Sequence, residues 1–136
     1  MPYIPNLESL MTQFLNSDDR NIQLDFYSRN QIILQLFKLS DVKTWNYGIE
    51  EYIKDDIVIE LTFNKNKIDN QNNKHRFINS EIFKDFIKLD SIKEDSYWTG
   101  VDIKLNINHI NQMIIKIINT VYELKNETIE YRLTAY

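Results

Sequence analysis

The 136-residue chain contains no cysteine and only two residues each of glycine, proline and histidine. The lack of cysteine excludes disulfides, thiolate nucleophiles, iron–sulfur clusters and the usual structural zinc sites. Gly48 and Gly100 are isolated, which excludes glycine-rich phosphate-binding loops. His75 and His109 are the only histidines, and neither has an orienting partner in the sequence. We therefore expect no cofactor, no metal and no catalytic residue.

Long apolar runs and a basic excess are also missing. No run of 18 apolar residues occurs, and the N-terminus has no secretory signal pattern, so we expect a cytoplasmic protein without membrane contact. Hydrophobic residues form 43% and charged residues 26% of the chain, as in ordinary folded proteins, and the length suits one domain over 1–136. The net charge of −4 argues against nucleic acid and favours a basic partner.

Hydrophobic periodicity predicts alternating helices and strands. Helical spacing is present over 6–16, after Ser80-Glu81, and after Asn106 or Asn108 for nearly twenty residues. Period-two alternation predicts four strands, at 22–27, 57–63, 97–105 and 128–135. The stretch Ile32–Leu39 fits both periods, and we interpret it as a helix that Ser28 caps. The polar stretch Asn64–Lys74 is expected to be a loop.

The strands alternate apolar and polar residues, which indicates a sheet with one covered face. We therefore predict an α+β, two-layer sandwich: a mixed, mostly four-stranded sheet with helices packed on one face and the other face open. Short connections around the last helix favour parallel strands on either side of it, joined by a right-handed connection. At Gly100, a glycine within a strand predicts a bulge or a close approach of another group.

The most distinctive segment runs from Asp41 to Glu60. It carries six carboxylates against two lysines, with Trp45, Tyr47 and Tyr52 interleaved. Carboxylates steer the encounter with a basic protein, and tryptophan and tyrosine anchor buried interface centres. The plain alternative is a solvated acidic loop whose aromatic side chains turn into the core. Trp98 and Asp102 extend this surface across the expected open sheet face. The predicted partner-binding residues are Trp45, Tyr47, Glu50, Glu51, Tyr52, Asp55, Asp56, Trp98 and Asp102.

Two other sequence patterns each have a functional and a structural interpretation. Asp102-Ile103-Lys104 matches half of a metal-dependent nuclease signature, in which the carboxylate holds a cation and the lysine stabilises charge. If the last two strands are neighbours, Asp102 and Lys104 instead pair with Arg132 and Glu130 across the sheet. A basic stretch formed by Lys65, Lys67, Lys74, His75 and Arg76 could contact phosphates, although such loops are usually solvated.

In general character the chain resembles the small, acidic, single-domain immunity proteins of AT-rich bacteria, which block a toxin that is often a basic nuclease. Its isoleucine, asparagine and lysine content suits an AT-rich genome. The sequence thus predicts a non-enzymatic binding protein that neutralises a cognate basic toxin by occlusion. A metal-dependent nuclease and a regulatory or structural protein of a phage or mobile element are the alternatives.

Overall fold

A sheet of five strands runs through the computed structural model, which describes residues 4–17, 21–64, 66–89, 95–102, 104, 106–124 and 127–135. All neighbouring strands are antiparallel, in the order β4-β3-β2-β1-β5. The α+β sandwich is confirmed, but the sheet has five strands instead of four and is antiparallel instead of mixed. The strands are β1 (Ile22–Ser28), β2 (Gln31–Lys38), β3 (Ile57–Phe63), β4 (Asp95–Val101) and β5 (Glu130–Ala135).

The additional strand is β2, where a helix was predicted. β1 and β2 form a hairpin whose two central residues, Arg29 and Asn30, have φ angles of 51° and 64°. Two positive φ angles define the tight turn that suits the twist of a hairpin, usually encoded by Asn-Gly. Because no glycine occurs here, the turn was not recognised. The strand is also apolar on both faces, since Leu36 faces the main core and Phe37 a second one, so its alternation is obscured.

The three longest helices pack on one face of the sheet. They are α1 (Leu7–Asn16), α3 (Ile68–Ile78) and α4 (Ile107–Tyr122), and a shorter helix, α2 (Leu39–Val42), follows β2. Helices α1 and α4 confirm the periodicity, and the Oδ1 of Asn106 accepts a 2.9 Å hydrogen bond from the amide of His109, as its predicted capping role requires. The apolar stripe of α4 consists of Ile110, Ile114, Ile117, Ile118 and Val121, all buried.

The prediction was wrong for the chain between β3 and β4. The expected loop includes helix α3, which buries only Phe77 and therefore lacks an apolar stripe. Arg76 secures it by donating a 2.9 Å hydrogen bond from Nε to the carbonyl oxygen of Val121 in α4. The helix expected after Ser80 is a 3-10 turn, Glu81–Asp85, and Ile87 then pairs with Trp98 at the edge of β4.

The last two strands run in the same direction but lie at opposite edges of the sheet. Helix α4 crosses the sheet from β4 to β5, so the two strands are not neighbours and the condition for the cross-strand ladder is not met. Consequently Asp102 and Lys104 do not pair with Arg132 and Glu130, and Arg132 instead lies opposite Asp25 of β1. Strand β4 ends at Val101, and Ile103 and Leu105 of the predicted strand lie outside the described residues.

The second face of the sheet, expected to be open, is partly covered. Helix α2 and the 3-10 turns Lys43–Trp45 and Ile49–Glu51 enclose a second, smaller core on this side. Its buried members are Phe37, Leu39, Val42, Ile49, Ile53, Val58, Leu89 and Trp98. The covering segment is also the acidic and aromatic segment that the sequence singled out.

Candidate functional site: an acidic aromatic surface

Four aromatic side chains meet on the partly covered face of the sheet. The rings of Phe37 and Trp45 lie 5.0 Å apart edge to face, Trp45 and Tyr47 lie 6.1 Å apart, and the rings of Tyr47 and Trp98 are separated by 6.5 Å. The structure thus brings Trp98 together with Trp45 and Tyr47, which lie about fifty positions earlier in the sequence. Phe37 was missed because it lies in the stretch interpreted as a helix.

Trp98 was expected on the exposed binding surface, but this prediction is wrong because its side chain is only 1% exposed. It forms the floor of the aromatic cluster beneath Tyr47 and cannot itself contact a partner in this conformation. Its Nε1 is buried without a hydrogen-bond partner among the described residues. Trp45 is half-buried and packs against Phe37. It therefore turns toward the protein interior, as the alternative interpretation of the acidic segment expects.

The two tyrosines remain accessible, since Tyr47 is 37% and Tyr52 is 63% exposed. Their position follows from the local backbone. Gly48 has a φ of 75°, which suits glycine, and the chain then enters the 3-10 turn Ile49–Glu51. Ile49 and Ile53 are buried in the second core and anchor the segment on both sides of this turn. Tyr47 and Tyr52 are therefore presented by a short segment with buried anchors.

Four carboxylates lie in the same segment of the chain as these tyrosines. Glu51 and Asp56 are exposed, and Glu50 and Asp55 are half-buried. One oxygen of Glu50, Oε2, is buried without a hydrogen-bond partner among the described residues. We call Tyr47, Glu51, Tyr52, Asp55 and Asp56 the acidic aromatic surface.

Asp102 belongs to the same end of the sheet. Ile57 pairs with Val101 in the β3–β4 ladder, so continuation of this register puts Asp56 opposite the exposed Asp102. The Oδ1 of Asp102 accepts a 2.9 Å hydrogen bond from the amide of Lys104, which is a local turn contact. The predicted placement of these two residues on a strand is wrong, because β4 ends at Val101.

The side chain of Asp55 covers Gly100. A Cβ atom at Gly100 would lie 2.2 Å from Oδ2 of Asp55 and 2.8 Å from Cγ2 of Ile53. The β3–β4 register is continuous at this point, so the predicted close approach is confirmed and the alternative of a bulge is not. Glycine is needed here because any side chain would displace Asp55.

A cleft of about 470 Å³ opens beside Asp55 at the outer edge of β4. Half-buried Ile82, Phe86 and Met113 contribute apolar walls, whereas Asp85 and Lys116 are exposed at its rim. Tyr52 and Asp55 also line it, so the edge cleft is continuous with the acidic aromatic surface. Sequence reasoning missed it because its walls come from four separate segments of the chain.

The basic stretch is largely occupied by internal contacts. Lys74 Nζ donates to a carboxylate oxygen of Asp95 at 3.1 Å, and Lys88 Nζ donates to the other oxygen at 3.2 Å. Burial by itself would raise the pKa of Asp95, which is 3% exposed, but the bonds and charges of the two lysines outweigh burial and lower it. Arg76 supports α4, and Lys65 lies outside the described residues.

Among the described residues, no three histidine, aspartate or glutamate side chains are grouped to hold a metal ion. In the same part of the chain no helix is long and apolar enough to cross a membrane.

Comparison of the chain with models of known families, with curated proteins and with solved structures found no match. A functional interpretation therefore depends on the chemistry and geometry of the site itself.

Proposed function

We propose that this chain is a non-enzymatic binding protein that occupies the surface of a basic protein partner. The observation that supports it is the pairing of accessible tyrosines with carboxylates on one anchored segment. Tyr47 and Tyr52 remain exposed while Ile49 and Ile53, between and beside them, are buried. Anchoring lowers the entropy lost on binding, and tyrosines contribute strongly to interface affinity.

The charge of this surface selects the partner. Glu51, Asp55 and Asp56 lie beside the tyrosines, and the whole chain carries a net charge of −4. Complementary charge accelerates the encounter and disfavours acidic competitors. A basic toxin, for example a nuclease, suits this chemistry, and binding over its substrate site would neutralise it by occlusion. This mode of action corresponds to the general likeness to small acidic immunity proteins.

The test begins with affinity capture by the chain from an extract of its source at low salt. We expect a basic protein to be retained and to dissociate as salt is raised, because screening weakens the attraction between exposed charges. Tyr47→Ala and Tyr52→Ala should each weaken its binding about tenfold or more, as expected for interface anchors.

Charge reversal provides the second part of the test. Glu51→Lys combined with Asp56→Lys should slow association with the captured protein and reduce its salt dependence. The matched control is Glu8→Lys, an exposed position on α1 at the opposite face of the sheet, which should leave association unchanged. The proposal fails if the chain elutes alone at low salt, or if the partner binds the tyrosine variants as tightly as the original chain.

A further inference from the structure

The outer edge of β4 is only partly paired. Trp98 donates a 2.9 Å hydrogen bond to the carbonyl oxygen of Ile87 and accepts a 2.8 Å bond from its amide, so both of its main-chain groups point away from β3. In an antiparallel ladder the main-chain groups of every second residue point the same way. Those of Gly100 therefore also point outward. Among the described residues, the main-chain bonds on this edge are those between Trp98 and Ile87.

The chain leaves this edge immediately before Ile87. The preceding residues, Glu81–Asp85, form a 3-10 turn and do not continue the pairing with β4. At the end of this turn, Oγ1 of Thr99 donates a 2.8 Å hydrogen bond to the carbonyl oxygen of Asp85. The edge cleft occupies the space that is left beside Gly100. The amide and the carbonyl oxygen of Gly100 can form main-chain hydrogen bonds with one residue of an extended segment that is added at this edge.

The surroundings of Gly100 indicate the chemistry of that segment. Phe86 and Met113 supply half-buried apolar surface inside the cleft, which suits an aliphatic side chain. Asp55 and Asp85 contribute two carboxylates to its lining, against the single cation of Lys116. Side chains of a strand alternate between its two faces, so an added strand would place apolar and basic residues in turn.

Building on the proposed function, we propose that the edge cleft receives an extended segment of the basic partner, which adds to the sheet beside Gly100. The segment alternates aliphatic and basic residues: its main chain pairs with Gly100, an aliphatic side chain enters the cleft, and a basic side chain reaches Asp55 or Asp85. The acidic aromatic surface binds the adjoining part of the same partner.

The probe is a blocked pentapeptide, acetyl-Leu-Arg-Val-Arg-Leu-amide, compared with its counterpart in which glutamate replaces both arginines. Because the chain has two glycines, labelling with ¹⁵N-glycine gives two amide signals, from Gly48 and Gly100. Gly48→Asn assigns them, since asparagine tolerates a positive φ. We expect the arginine peptide to shift the Gly100 signal progressively and to saturate it, and the glutamate peptide to leave it unchanged.

Charge variants of the cleft sharpen the test. Lys116→Glu should tighten binding of the arginine peptide about threefold to tenfold, and Asp85→Asn should weaken it by about threefold, in line with exposed charge pairs. Glu130→Gln, an exposed carboxylate on β5 at the opposite sheet edge, is the control and should leave the affinity unchanged. Both variant positions are exposed, so the fold should be retained.

Three results would overturn the inference: no binding of the arginine peptide, equal binding of both peptides, or a shift confined to Gly48. The last result would mean that charge alone draws the peptide to the acidic aromatic surface. Because Tyr47, Glu51 and Asp56 do not line the cleft, loss of partner binding in their variants tests the proposed function separately.

Discussion

Asp55 lies so close to Gly100 that a Cβ atom at the glycine would be 2.2 Å from its Oδ2 atom. Gly100→Ala should therefore destabilise the protein by about 1–3 kcal/mol, the usual cost of overpacking. Urea unfolding measures the change. In an Asp55→Ala background the same substitution should cost less, although Cγ2 of Ile53, 2.8 Å from that Cβ position, still opposes it. Strictly additive effects of the two substitutions would show that the contact is not the cause.

Acid sensitivity should come in part from Asp95. Burial alone would raise the pKa of Asp95, but the contacts with the two lysines outweigh burial and lower the pKa below its ordinary value of 3.8. The charged carboxylate therefore stabilises the fold above about pH 4. That contribution is lost as the pH falls through the lower, folded-state pKa. Unfolding free energies measured from pH 6 down to pH 2 should fall less steeply for Asp95→Asn than for the original chain. Asp69→Asn, an exposed control on α3, should keep the original slope.

Alkaline sensitivity should come from Tyr122, whose hydroxyl donates a hydrogen bond to the carbonyl oxygen of Ile33. Burial raises the pKa of the Tyr122 phenol, so the neutral form stabilises the fold below the unfolded-state pKa of about 10. This contribution declines as the pH rises above that value. Tyr122→Phe should lower stability at neutral pH by about 1–2 kcal/mol, because a buried carbonyl loses its donor. Equal loss of stability above pH 10 in both proteins would contradict the assignment.

The β1–β2 turn offers a stabilising substitution. Arg29 and Asn30 both adopt positive φ, which is strained for arginine and tolerated by asparagine. Asn30→Gly supplies the residue preferred at the second turn position and keeps the 2.7 Å ion pair between Arg29 and Glu127, so it should raise the unfolding free energy by about 0.5 kcal/mol. Thermal or urea unfolding would detect it. Asn72→Gly, placed inside helix α3, should do the opposite and cost about 0.3–0.5 kcal/mol, because asparagine is already a weak helix former. A loss of stability in the turn variant would argue against this hairpin geometry.

Local periodicity predicted the elements whose main-core residues recur at one regular spacing. Helix α4 and strand β3 are of this kind, and the expected bounds of β3 agree with the structure. Composition alone identified the acidic aromatic segment. The position of Gly100 within a predicted strand indicated that another group approaches it closely. These features depend on residue type and on neighbours within a few positions, so the linear sequence contains them.

Only the tertiary structure determines which strands and side chains are covered by segments distant in the sequence. Strand β2 contacts a core on each face, so its residues lack the contrast on which periodicity depends. Trp98 shares its strand register with Gly100 and Asp102, which predicts an exposed side chain, yet α2 and the turns that follow it bury Trp98. Strand β5 pairs with β1 instead of β4 because α4 crosses the whole sheet. Periodicity reports how side chains alternate within one segment, whereas burial and pairing depend on which other segment packs against it.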